Sequence, residues 1–152
     1  MDMQVSKRSR YALEALVYLA AFEGAEHESL KVIAEKLGTS WKYLEQIFMA
    51  LKKAGVVESV RGPQGGYRLA RDAREIGAGE VIRALEGPLA PVPCILEGKD
   101  RKPCALYEGC VTRTIWKRIM TDINKTADSI SIFDLSDKCK IPGTVKKEDF
   151  SI

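Results

Sequence analysis

Ser29 to Tyr67 reads SLKVIAEKLGTSWKYLEQIFMALKKAGVVESVRGPQGGY, and its apolar spacing decides the fold class. Leu30, Ile33, Ala34 and Leu37 recur at i, i+3, i+4 and i+7, which places them on one face of a helix. Gly38 breaks that helix, and Thr39 or Ser40 offers a side-chain oxygen to cap the next. Leu44, Ile47, Phe48 and Leu51 repeat the spacing. Two short amphipathic helices joined by a tight glycine-containing turn predict a helix-turn-helix. Gly55 ends the second helix. Val56, Val57 and Val60 then predict a strand, Gly62-Pro63-Gln64-Gly65-Gly66 a hairpin tip, and Tyr67, Arg68 and Leu69 the returning strand. Helix, turn, helix and hairpin compose a winged helix-turn-helix, so the expected fold class is mainly α with a small β-hairpin wing.

That unit carries a surface suited to nucleic acid. Trp41, Lys42, Glu45 and Gln46 lie off the apolar face of the second helix, where a recognition helix displays its side chains. Glutamine pairs bidentately with adenine, and glutamate accepts from a cytosine amine. Arg61 and Arg68 flank the glycine-rich tip, where bare backbone approaches a phosphate closely.

Upstream, Tyr11 to Phe22 is apolar on more than one face, the mark of a helix buried on several sides. Lys7, Arg8 and Arg10 precede it and are placed to touch a phosphate backbone. His27 sits in the polar loop Glu23 to Glu28 and is read as solvent-exposed, without a role. Downstream, Arg71 to Ile76 is a polar link. Val81, Ile82 and Leu85 form the apolar face of a short helix over Gly79 to Leu85, stopped by Gly87-Pro88. Gly87 to Gly109, punctuated by Pro88, Pro91, Gly98 and Pro103, is a long irregular loop. Loops beyond ~12–15 residues inside a compact domain are usually functional or disordered.

From Val111 the helical period returns through Ile115, Trp116, Ile119, Met120, Ile123, Ala127 and Ile130. A helix of ~20 residues spans ~30 Å, more than so short a chain covers along its length. It is expected to pair with its symmetry mate in a homodimer, with Trp116 packing inside the monomer. The resulting plan places the winged helix-turn-helix in residues 1–87, with the helix-turn-helix about 29–55 and the wing about 56–70. A cysteine-containing loop follows at 88–110, a long C-terminal dimerisation helix with its following segment at 111–137, and a polar, basic tail at 138–152.

Composition limits the class of protein. The 152 residues carry 45% hydrophobic and 30% charged side chains, an ordinary globular mixture for one domain with an appended arm. The net charge of +3, from 24 basic and 21 acidic residues, says little; the clustering of Lys7, Arg8, Arg10, Lys42, Lys52, Lys53, Arg61 and Arg68 says more. No apolar run approaches the ~18 residues of a membrane span and no signal peptide precedes Met3, so a cytoplasmic location without a membrane partner is expected. No Ser/His/Asp or Cys/His set and no phosphate-binding glycine loop opening a helix is present. Gly65-Gly66 belongs to the wing, because no helix follows it. An enzyme, and with it a small-molecule substrate, is not expected.

Cys94-x9-Cys104-x5-Cys110 concentrates three thiols in one loop. Thiolates suit zinc and iron–sulfur iron, both of which favour soft donors. The spacing lacks the C-x2-C knuckle of structural zinc, and in a cytosolic chain structural disulfides are rare. The residues alone leave open a metal centre, incidental thiols or a redox disulfide.

Three segments, SKRSRYALEAL at 6–16, SWKYLEQIF at 40–48 and SVRGPQGGYRLA at 59–70, resemble the Rrf2 family of bacterial transcription regulators. The resemblance runs from about Met3 to about Asp137. With its three later cysteines the chain is most similar to the iron–sulfur regulators of the IscR type. The resemblance implies a repressor that binds a double-stranded operator and adjusts cluster-assembly genes to cluster supply. It implies a [2Fe–2S] cluster on Cys94, Cys104 and Cys110. It places Ser40, Trp41, Tyr43, Glu45 and Gln46 near bases or adjacent phosphates. Arg61, Gly62, Pro63, Gly65 and Gly66 are expected at the minor groove or the backbone. At the Glu45 position, relatives of this type use a glutamate to discriminate between site types.

Two departures from that pattern stand out. The first cysteine interval is wider than usual, and Arg113 occupies the place of a histidine three residues after the third cysteine. A guanidinium stays protonated and does not ligate. Some relatives complete the cluster from the first helix of the partner subunit, at positions that here are Arg10 and Glu14. Glu14 is therefore the first choice for a fourth ligand, with Glu108 and Cys139 as others. The alternatives are a nitric-oxide-sensing iron–sulfur repressor of the same family and a cluster-free redox- or metabolite-responsive regulator, in one form the partner of a biosynthetic enzyme.

Overall fold

Ser6, Ser29, Ser40 and Ser131 each begin a helix by the same device: the hydroxyl accepts from a backbone N–H three residues on, at Ser9, Val32, Tyr43 and Asp134. Each such cap contributes about 1 kcal/mol to its helix. In the computed structural model of the chain, residues 4–21, 27–96 and 109–137 are described. The helices they form are α1 (Lys7–Ala20), α2 (Leu30–Leu37), α3 (Trp41–Lys53), α4 (Ala78–Glu86), α5 (Arg113–Ser129) and α6 (Ile132–Ser136). Strands β1 (Val57–Val60) and β2 (Gly66–Leu69) lie between α3 and α4. Short 3₁₀ turns occupy Ala73–Glu75 and Pro93–Ile95.

The helix-turn-helix forms as the spacing predicts. Gly38 ends α2 at φ +69°, a left-handed conformation that a side chain would oppose. Leu44, Ile47, Phe48 and Leu51 of α3 are fully buried and meet Ile33 of α2, Ala12, Ala15 and Leu16 of α1, and Val56 and Val57 entering β1. Burying each of the larger of these side chains is worth roughly 1.5–3 kcal/mol. β1 and β2 pair antiparallel with Val57 opposite Leu69, Glu58 opposite Arg68, Ser59 opposite Tyr67 and Val60 opposite Gly66. The Tyr67 ring meets Phe48 edge-on at 5.0 Å, which seats the hairpin on α3.

Four expectations are corrected. Lys7, Arg8 and Arg10 do not precede the first helix; they are in it, because Ser6 caps the chain five residues before Tyr11. Ile76, read as part of a polar link, is fully buried in the core. The C-terminal helix α5 stops at Ser129, one residue short of Ile130. It has no fully buried residue. The unforeseen α6 follows, and its fully buried Ile132 packs this helix on α1. Backbone bonds from Ala78 N to Ile130 O and from Ile132 N to Ile76 O, each 2.8 Å, tie the start of α6 to the start of α4. The core of the winged helix is therefore closed partly by the segment C-terminal to the long helix.

Phe22, Cys104, Glu108, Cys139 and the tail 138–152 lie outside the described residues. Among the described residues no helix is long and apolar enough to cross a membrane.

Candidate functional site

The outer face of α3 is a stripe set by the same period that buries its inner face. Trp41 is 41% exposed and Met49 63%, with Lys42, Glu45 and Gln46 exposed between them. Ser40 is exposed at the N-cap, where its hydroxyl accepts from Tyr43 N at 3.2 Å. Tyr43 is half-buried, its ring edge-on to Tyr11 at 5.9 Å. That ring pair brings Tyr11 of α1 beside the start of α3. Among the described residues, no hydrogen bond or ion pair occupies the side chains of Glu45 or Gln46. Their donors and acceptors are free for an outside partner.

The wing displays Arg61, Gly62, Pro63 and Gln64, all exposed. Gly65 and Gly66 are half-buried, and both are confined from within the fold. A Cβ at Gly66 would strike the backbone carbonyl of Glu28. That contact exists because Glu28 lies against β2 as a third segment, with Glu28 N to Tyr67 O at 2.9 Å and Tyr67 N to Glu28 O at 2.8 Å. The two arginines beside the tip also differ. Arg68 pairs across the hairpin with Glu58 at 2.5 Å, which partly neutralises it, whereas Arg61 has no such partner among the described residues. Arg61 is the cation of the wing left for a phosphate or a groove.

Both described cysteines are free thiols, Cys94 exposed and Cys110 half-buried. Cys94 lies seven residues into the 88–110 loop and Cys110 is its last residue. Cys94 lies in the 3₁₀ turn Pro93–Ile95, which packs against α5, and Cys110 lies three residues before that helix begins. The Cys110 thiol is held below its usual pKa, first by the Thr112 hydroxyl at 3.3 Å and then by the backbone N–H of Arg113. A thiol so placed is biased toward the thiolate that both metal ligation and oxidation require. Arg113 is the first residue of α5. Glu14 is exposed on α1 and takes part in no ion pair among the described residues. No group of three or more His, Cys, Asp or Glu among the described residues is arranged to hold a metal, and Cys104 lies outside them.

Some polar contacts escape sequence reasoning. His27, assigned no role, is half-buried, and its ring Nε2–H donates to the backbone carbonyl of Gln64 at the wing tip. Asn124 of α5 accepts from Arg83 of α4 at 2.9 Å and donates to Leu89 O at 2.8 Å, joining the start of the cysteine loop to two helices. Arg83 also pairs with Asp128 at 2.5 Å. Glu86, at the end of α4, accepts from Ser6 N at 2.5 Å, just before α1. Burial pushes the Glu86 carboxyl up, but hydrogen bonds from the Ser6 hydroxyl and amide outweigh it and hold the pKa below the ordinary range. Each partner lies dozens of residues away, so no local spacing signals these pairs.

The family model of Rrf2, described as iron-dependent transcriptional regulators, matches residues 5–138. The chain belongs to the Rrf2 family. Rrf2 proteins are transcriptional regulators rather than enzymes; they bind DNA and generally dimerise. The Rrf2 regulator CymR of Bacillus subtilis is 37% identical over 88% of this chain and 90% of its own length. Its solved structure, titled as the global cysteine regulator of that organism, superposes with a TM-score of 0.72 over 89% of this chain and 97% of the other, at 36% identity. IscR of Vibrio campbellii is also 37% identical, over 88% of this chain and 77% of its own length. The structure of T. potens IscR superposes with a TM-score of 0.69, at 34% identity, over 97% of this chain and 96% of the other. The mainly helical architecture with a two-stranded wing is thus that of Rrf2 winged-helix regulators. Identity does not separate the two named types.

Proposed function

We propose that this Rrf2 protein is a homodimeric repressor of iron–sulfur cluster biogenesis genes that senses cluster supply or redox state through a bound [2Fe–2S] cluster. The observation that carries this reading is that Cys94 lies in a turn packed on α5 and Cys110 stands three residues before the same helix, its thiol held below its usual pKa. Cys94, Cys104 and Cys110 would hold the cluster, with Glu14 from the other subunit the first choice of fourth ligand and Glu108 or Cys139 the others. The donor set suits iron, which favours soft thiolate donors. Such a cluster supplies a one-electron redox change and a structural tie that exists only when it is assembled.

The protein's own residues convert that tie into DNA affinity. Val111 is 86% exposed and Ile115 52%, an apolar strip at the start of α5 that a second copy covers. The loop and the dimer seam thus share one helix. A change at the loop biases the spacing of the two winged helices, and it acts only through differential affinity for the two arrangements. Ser40, Trp41, Tyr43, Glu45 and Gln46 meet bases or adjacent phosphates. Arg61, Gly62, Pro63, Gly65 and Gly66 form the wing contact, with the glycines also holding the tip in shape. Glu45 discriminates between operators according to cluster state. A protein that acts on the chromosome in this way works in the cytoplasm.

A cluster-free regulator of cysteine metabolism is the second reading, favoured by the equal similarity to CymR. Absorption and EPR spectra of anaerobically purified protein, with iron and sulfide counted per chain, separate the two. A [2Fe–2S] signature lost in Cys104→Ala supports the cluster reading. A [4Fe–4S] signature redirects it to nitric-oxide sensing. Iron-free protein in repeated anaerobic preparations sinks it in favour of the CymR-like role.

A further inference from the structure

The wing is held at two levels. Along β2, Glu28 and Tyr67 exchange backbone bonds of 2.9 and 2.8 Å. At its tip, the His27 ring donates to the Gln64 carbonyl. His27 and Glu28 immediately precede Ser29, the cap of α2. The tip is therefore tied directly to the start of the helix-turn-helix that it must match on DNA. The strands alone would not fix it: an isolated two-stranded hairpin is marginal in water, and the tip residues Arg61 to Gln64 are all exposed.

We infer that His27 is a positioning residue for DNA recognition, which sets the height of the wing tip over α3 and thereby aims Arg61 at the duplex. This rests on the reading that Arg61 contacts DNA. The imidazole reaches the backbone carbonyl of Gln64 rather than a side chain, so it fixes the main chain of the tip whatever the Gln64 side chain does. Its ring is rigid beyond two torsions, which lets one hydrogen bond constrain the hinge of a hairpin. Arg61, three residues from Gln64, has no partner of its own among the described residues. Its direction depends on where the tip is held.

A double-mutant cycle with the full chain tests this. The probe is the duplex that wild-type protein recovers from a pool of random sequences about 30 base pairs long, room for two half-sites one helical turn apart. His27→Ala, His27→Gln, Arg61→Ala and the His27→Ala/Arg61→Ala pair are compared for affinity and its salt dependence, with thermal melting of each. His27→Ala is expected to weaken binding about two- to tenfold, the range one net hydrogen bond controls. Its salt slope should fall toward that of Arg61→Ala, by about 0.9 for one lost phosphate contact. In the Arg61→Ala background the same change should add nothing. His27→Gln, which keeps a donor, should recover most of the loss, including if His27→Ala melts early. Additive losses, or unchanged affinity in His27→Ala beside a weakened Arg61→Ala, would overturn the assignment. Wild-type affinity in Arg61→Ala would instead remove the wing contact itself, and the inference with it.

Discussion

The side-chain amide of Asn124 donates to the Leu89 carbonyl at 2.8 Å, and the same amide donates to Met120 O at 2.7 Å within α5. Its oxygen accepts from Arg83 at 2.9 Å. One side chain thus satisfies three partners and pins the first residues of the cysteine loop to both α4 and α5. Asn124→Leu removes every one of these bonds at a half-buried site, strands the Leu89 carbonyl and leaves the Arg83 guanidinium only its Asp128 partner. The expected destabilisation is about 1–3 kcal/mol in urea melts. Faster alkylation of Cys94 should accompany it. Unchanged Cys94 reactivity would show that the loop is anchored elsewhere.

Removing the cap at the recognition helix separates stability from contact. Ser40→Ala deletes the acceptor for Tyr43 N and should cost about 1 kcal/mol. Ser40→Asp keeps a capping acceptor and should restore the melting temperature. On DNA the added negative charge should weaken binding all the same, read by fluorescence anisotropy.

Gly66→Ala places a methyl group against the Glu28 carbonyl. Backbone cannot give way there without breaking the Glu28–Tyr67 pair. Weaker DNA binding, with earlier exchange of the Tyr67 amide, is the expected result. Normal amide protection would mean that the third segment tolerates the shift.

Acid should loosen the junction of α1 and α4. The pKa of Glu86 is lowered in the folded chain, so the carboxylate binds protons more weakly there than when unfolded. Its contribution is therefore full above the ordinary glutamate value of about 4.3 and is lost as pH falls through the lowered folded value. Glu86→Gln should flatten that part of the stability profile. Parallel pH profiles for the two proteins would contradict the assignment.

The exposed strip of α5 gives a prediction on assembly. Ile115→Arg replaces an apolar side chain that is 52% exposed in the monomer, so folding should change by less than about 0.5 kcal/mol. Sedimentation should nevertheless shift from dimer to monomer. A dimer of undiminished strength would move the interface away from this strip.

Local chemistry determined the helix-turn-helix and wing. A 3.6-residue apolar period, serine caps and glycine stops act over distances of three or four residues, so they are readable from the order of side chains. Leu44, Ile47, Phe48 and Leu51 point inward for that reason, and Glu45 and Gln46 point outward for the same one. Cys94, Cys104 and Cys110 were legible only as three thiols close in the chain, their spacing leaving open a metal centre, incidental thiols or a redox disulfide. Tertiary structure decided what pairs act across tens of residues: His27 with the wing tip, Ser6 with Glu86, Asn124 with Leu89, and Ile132 closing the core under α1. These depend on which surfaces meet after the helices pack. A hydrogen bond between distant residues leaves no period in the chain, because its geometry exists only once the intervening elements are in place.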